Sequence, residues 1–151
     1  MRTVNGLEEL KSLVGQELGV SDWHLVTQAE VNLFADATHD HQWIHVDPDR
    51  CKRESPFGGP IAHGYYTLSL APALLSEIVR VVGVRMGVNY GLNKMRLPSP
   101  VSVGSRVRLR ATLSGFEPFQ GGASGTIGLT FEVEGQQKPG CVAEAIYRYY
   151  T

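Results

Sequence analysis

The chain has 151 residues, 42% hydrophobic and 19% charged, with a formal net charge of −1 and a pI near 6.5. These values suit one globular domain over residues 1–151 and exclude a disordered chain. Scattered basic residues argue against nucleic acid or an anionic membrane as partner; no run of about 18 apolar residues could span a bilayer and no signal peptide opens the chain, so a cytoplasmic protein is expected.

Leu7, Leu10 and Val14 share one face of a short helix starting at Asn5-Gly6, and residues 16–26 read as an extended segment on which His24 carries no role. Thr27-Gln28-Ala29-Glu30 is a capping box, with the Thr27 hydroxyl on the Glu30 amide and Glu30 reaching back, so a helix is predicted over 28–37. Residues 40–60 show no sustained periodicity. Asp47-Pro48, Ser55-Pro56 and Gly58-Gly59-Pro60 punctuate them as a loop with one helical turn over 49–52. An irregular stretch of about 20 residues in a small domain commonly binds or catalyses.

Beyond His63-Gly64, Leu68, Ala71, Leu74, Leu75, Ile78 and Val82 repeat at helical spacing, predicting a buried helix that bends at Pro72 and ends near Gly83. Residues 84–97, 106–113, 125–133 and 141–150 then read as three or four strands of an antiparallel meander, with turns at Pro98-Ser99-Pro100, Ser114-Gly115, Gly121-Gly122 and Pro139-Gly140. The fold class is α+β: a curled antiparallel sheet wrapped around a long central helix. Cys51 and Cys141, far apart and in no CxxC pattern, read as reduced thiols.

Chemistry concentrates in residues 34–65, which hold four of the five histidines, His39, His41, His45 and His63. Asp40 and His45 can meet only if the loop folds back on itself; they would then hold one water and divide acid and base work between them. The plainer alternative has Asp40 capping local amides and His45 making one structural hydrogen bond. His39, His41 and His45 at i, i+2 and i+6 match no strong zinc pattern, so no metal is expected. Gly64, opening a helix, offers an amide without an internal partner to a developing oxyanion; an ordinary glycine near a helix start fits equally.

The run D-H-Q-W-I-H at residues 40–45, then V-D-P, then P-I-A-H-G-Y at residues 60–65 resembles the pattern of MaoC-type dehydratases, or (R)-specific enoyl-CoA hydratases: D-x-N-P-x-H followed by P-x-x-H-G. The likeness is greatest to short single-hot-dog members, including mycobacterial hydratases and NodN-like proteins. It implies a hot-dog fold and the interconversion of trans-2-enoyl-CoA and (R)-3-hydroxyacyl-CoA in fatty acid metabolism. Asp40 and His45 would hold the water and the Gly64 amide the thioester oxygen, with Gln42, Trp43, His63 and Tyr65 on the substrate. No cofactor is implied, because coenzyme A is part of the substrate. A homodimer joined sheet edge to sheet edge is implied, with an acyl tunnel beside the central helix and the CoA arm at or near the interface.

The chain departs from the pattern at three positions. Gln42 and Trp43 replace Asn and Pro, Gln42 keeping hydrogen-bonding capacity and Trp43 giving up a rigid turn while walling the tunnel. His39 stands where Gly is common, removing backbone freedom and adding an imidazole near the pair. Two other readings remain at this level. A hot-dog acyl-CoA thioesterase would need a carboxylate on the central helix, where Glu77 is the one acid, and a non-catalytic acyl-CoA-binding subunit is kept open by His39.

Overall fold

The structure, a computed structural model, describes the whole chain from Met1 to Thr151. Its first half runs β1 (Arg2–Asn5), α1 (Gly6–Ser12), β2 (Glu17–Val20), β3 (His24–Leu25), α2 (Gln28–Thr38), α3 (Trp43–Val46) and α4 (Pro48–Glu54). The second half runs α5 (Gly64–Ser69), α6 (Ala71–Ile78), β4 (Val79–Val82), β5 (Met86–Arg96), β6 (Arg106–Phe119), β7 (Gly122–Val133) and β8 (Cys141–Tyr150).

Strict alternation in β6 and β7 turns Val107, Leu109, Ala111 and Leu113, then Ile127, Leu129, Phe131 and Val133, to one face. Most of that face packs on Leu74, Leu75 and Ile78 of α6, all of them buried, while Val107 and Val133 join a second cluster with Val26, Val31 and Tyr66. Each large apolar side chain taken from water there contributes about 1.5–3 kcal/mol, so the helix is firmly seated. The sheet order is β2-β6-β7-β8-β5, with β3 also on β6, and the sheet does not close. This is the expected layer arrangement.

Four local expectations need correction. The long helix is two, α5 and α6, joined at Leu70 with Pro72 in the first turn of α6. Residues 79–82 leave it as β4, parallel to β1, because Val79, Val81 and Val82 are β-branched and fit a strand better than a final helical turn. Ser114-Gly115 is a bulge inside β6, which continues to Phe119; the turn is at Gly121, whose φ of 92° suits glycine. Finally, β6, β7 and β8 form the meander while β5 pairs with β8, so residues 97–105 cross the sheet from one edge toward the other. That crossing clasps the site: the Ala62 amide donates to the Val101 carbonyl at 2.8 Å and the Val103 amide to the Pro60 carbonyl at 2.9 Å.

Helix α2 begins at the expected cap, the Glu30 amide donating to Thr27 Oγ1 at 3.1 Å. It ends on His39, the one non-glycine residue with positive φ, at 62°. A residue with a Cβ in this left-handed region carries about 1–2 kcal/mol of strain. The family's glycine would adopt it freely. In urea denaturation, His39→Gly is expected to leave stability unchanged or raise it by up to about 1 kcal/mol, and His39→Val to lower it by about 1–2 kcal/mol. Equal stability of the two variants would refute a left-handed His39.

Candidate active site

After the left-handed turn at His39 the chain reverses, and the His41 ring bonds back to Asp36 of α2 at 2.8 Å. Asp40 is left at the surface with its carboxylate half exposed, Oδ1 accepting from the Gln42 amide at 3.3 Å. The 40–60 stretch is less irregular than expected. Asp47 caps α4 through the Arg50 amide at 2.9 Å and Pro48 occupies the first turn, so the Asp-Pro step starts a helix. The single turn of α3 then carries His45 inward.

His45 is buried, and its Nδ1–H donates to the Ile61 carbonyl at 2.6 Å. A carbonyl only accepts, so Nδ1 carries the proton and Nε2 of the neutral ring is a bare lone pair. The Ile61 amide in turn donates to the Ile44 carbonyl at 3.0 Å, locking α3 to the segment before α5. Burial lowers the His45 pKa from its usual 6.5, and neighbouring His63 acts in the same direction; the Ile61 bond and the Asp40 charge oppose them.

His63 is the residue before α5 and stacks on His45, with ring centroids 3.9 Å apart and planes 24° apart. Its Nε2–H donates to the Asp40 carbonyl at 2.9 Å, leaving Nδ1 buried without a partner. An Asp40 carboxylate oxygen and one ring nitrogen from each of His45 and His63 lie within 4.8 Å of one another. One water can bridge such groups with ordinary hydrogen bonds. A metal ion is less suited, because stacked rings hold their in-plane lone pairs in nearly parallel planes that do not converge at bonding distance.

Asp40, His45, His63, Gly64 and Tyr65 line one cavity of about 360 Å³. Gly64 opens α5, and its amide has no acceptor within the helix. A larger cavity of about 420 Å³ opens at the α5–α6 joint beside Tyr90 and Leu92, but it holds no carboxylate or imidazole, and the smaller one gathers the groups that the motifs pick out.

The other expected residues divide. Tyr65, 70% exposed, lines the mouth. Gln42 is exposed and meets Asp40 through its backbone. Trp43 is not a wall of this cavity: its ring faces α4, with the Arg50 guanidinium carbon 4.3 Å from the ring centroid. His39 points into solvent and makes no hydrogen bond to the pair. Glu77 is exposed at the end of α6, its carboxylate accepting from the Asp22 amide at 3.0 Å, so it offers no acid for thioester hydrolysis at this site.

One cluster has no counterpart in the sequence reading. Glu30 does not reach back over its own cap; its carboxylate accepts from the Tyr66 hydroxyl and contacts His24 Nε2 at 2.8 Å, tying α2, α5 and β3 together. The Phe34 ring bridges this cluster to the site, 5.9 Å from Tyr66 and 4.9 Å from His63. Phe34, Thr38 and Leu97 also line the cavity and were not anticipated there. For Phe34 the signal was its helical spacing one turn after Glu30.

Comparisons with known proteins bear on the fold and the family. A MaoC-like domain model matches residues 9–134. The 3-hydroxyacyl-thioester dehydratase Z of Mycobacterium tuberculosis is 53% identical over 150 residues, 99% of each chain, and nodulation protein N of Rhizobium leguminosarum bv. viciae is 48% identical over 93% of this chain and 88% of its own length. An (R)-hydratase structure from A. caviae superposes with a TM-score of 0.72 over 89% of this chain and 94% of its own, at 23% identity, a likeness in fold. Fold and relatives together define a hot-dog hydro-lyase. The chain belongs to the MaoC-like dehydratase family. No helix is long and apolar enough to cross a membrane.

Nitrogen-resolved NMR is expected to find His45 protonated on Nδ1 and titrating below 6.5. The folded state then binds fewer protons than the unfolded chain between the two midpoints. His45 therefore contributes stability that is present above the unfolded midpoint and lost as pH falls through the folded one. A midpoint above 6.5 would contradict the buried, neutral ring.

Proposed function

We propose that this protein is an (R)-specific enoyl-CoA hydratase, equally a 3-hydroxyacyl-CoA dehydratase. The carrying observation is the bare Nε2 of His45 held in the same cavity as the Asp40 carboxylate and the Gly64 amide. The thioester carbonyl would lie on the Gly64 N–H, which stabilises the enolate charge that develops during addition. A water would give one hydrogen bond to Asp40 and the other to His45 Nε2. Its oxygen attacks C3 of the enoyl chain and one proton passes to Nε2. The imidazolium, made acidic by burial, returns that proton to C2, so one water is added in sum. Dehydration reverses each step. The R configuration rests on the motif resemblance.

This assignment makes His45 the group that shuttles the proton and Asp40 the group that orients water and offsets the transient positive charge. Stacking on His63 fixes the His45 ring plane, and the His63 bond to the Asp40 carbonyl fixes the turn that presents the carboxylate. Neither contact has to form during reaction.

A homodimer is proposed with the same reading. Strand β5 is a sheet edge whose outer backbone is unpaired, and Val88, Tyr90 and Leu92 on it are exposed. Natural proteins seldom leave such an edge open. The free state of both cysteines supports a cytoplasmic setting.

Hydration of crotonyl-CoA, followed by loss of enoyl absorbance, is expected for the wild type and to fall about 10²–10⁴-fold in Asp40→Asn and His45→Gln. For the wild type, kcat/KM should be flat near neutrality and decline only below 6.5, where His45 Nε2 takes a proton. Full activity in both variants would remove the assignment. Sedimentation should give twice the 16.5 kDa of one chain.

A further inference from the structure

A second cavity of about 260 Å³ adjoins the catalytic one, and His45, Gly64 and Leu97 line both. Its remaining walls include Phe57, Ile61, Pro100 and Val101. The catalytic cavity carries Asp40 and His63 instead, and Tyr65 at its mouth. The 420 Å³ cavity at the α5–α6 joint shares no lining residue with either of them.

Leu97 stands between the two adjoining spaces. Its isobutyl group lies against the Cα of Gly64, so closely that a Cβ built there would collide with Leu97 Cδ1. It is 48% exposed and follows the last residue of β5, so truncating it leaves the packed core intact.

We propose that Leu97 is a specificity-determining partition, and that the apolar chamber behind it receives the distal part of an aliphatic acyl chain. The proposal rests on the thioester reading above. A substrate whose reacting carbons lie between His45 and Gly64 must send one arm each way. The side that carries the Asp40 carboxylate and the exposed Tyr65 suits the CoA arm, and the side walled by Phe57, Ile61 and Val101, with no charged side chain, suits an alkyl tail. With Leu97 in place only the near methylenes of the tail fit without displacing it. A smaller residue joins the two spaces, and a larger one closes the passage.

The experiment compares wild type, Leu97→Ala and Leu97→Trp with C4, C8 and C12 trans-2-enoyl-CoAs, and by calorimetry with the saturated acyl-CoAs of the same lengths, which do not react. Leu97→Ala is expected to raise the C8:C4 ratio of kcat/KM about tenfold, and Leu97→Trp to lower it by a similar factor, as a few methylenes gained or lost in an apolar pocket would do. The saturated acyl-CoA affinities should shift in the same order. Ratios within twofold of wild type in both variants, by turnover and by affinity, would overturn the partition. If wild type hydrates no enoyl-CoA, the hydratase reading fails and the affinity ratios alone decide the role of Leu97. If no acyl-CoA binds either, the partition is overturned as well.

Discussion

A single hydrogen bond, from His45 Nδ1 to the Ile61 carbonyl, organises the site. It selects the tautomer, because the acceptor has no proton to give. It also spans the gap between α3 and the segment entering α5, so the Asp40–His45 turn and the Gly64 helix start are one rigid piece. A neutral hydrogen bond of this kind contributes only about 0.5–1.5 kcal/mol to folding. In the proposed reaction its consequence is larger, since the other tautomer would present a donor where the water is to give up its proton.

Around that bond the protein places groups that oppose one another. Burial and the stacked His63 disfavour a charged His45, while the half-exposed Asp40 favours it. The proposed proton shuttle needs both influences, a ring neutral at rest that can accept a proton fleetingly. The firm packing of α6 on the sheet and the Glu30–Tyr66–His24 cluster beneath α5 hold the stack in register. Hot-dog architecture suits this division, because α6 is seated on the sheet by its apolar face while the first turn of α5 remains open to a ligand.

Much of the site was legible in the sequence because its parts are local. Thr27 caps α2 where the pattern puts it and the helix runs one residue past its expected end, and two short motifs named Asp40, His45 and Gly64 in order. What stayed illegible depends on distant partners. The Asp47-Pro48 step marks a loop and a helix start equally well, and only packing chooses. Residues 79–82 satisfy helical spacing but become a strand because Arg2–Asn5 lies alongside to pair with them. Glu30 abandons its own cap because Tyr66, a whole loop away, offers a better donor. Leu97 gave no signal, since its importance comes from the crossing of residues 97–105 over Gly64.

The parallel pairing of β1 with β4 joins the start of the chain to the end of α6. Everything between, including Asp40, His45 and Gly64, is therefore a loop drawn shut at its neck by four residues on each side. Closing so long a loop costs little more entropy than closing one half its length, but it orders events in time. Arg2–Asn5 precedes its pairing partner in the chain, so it stays unpaired and Val4 uncovered until residues 79–82 are present. The neck closes only once residues 79–82 are present and the crossing only once 97–105 are, so the stretch carrying Asp40, His45 and Gly64 precedes most of the contacts that hold it.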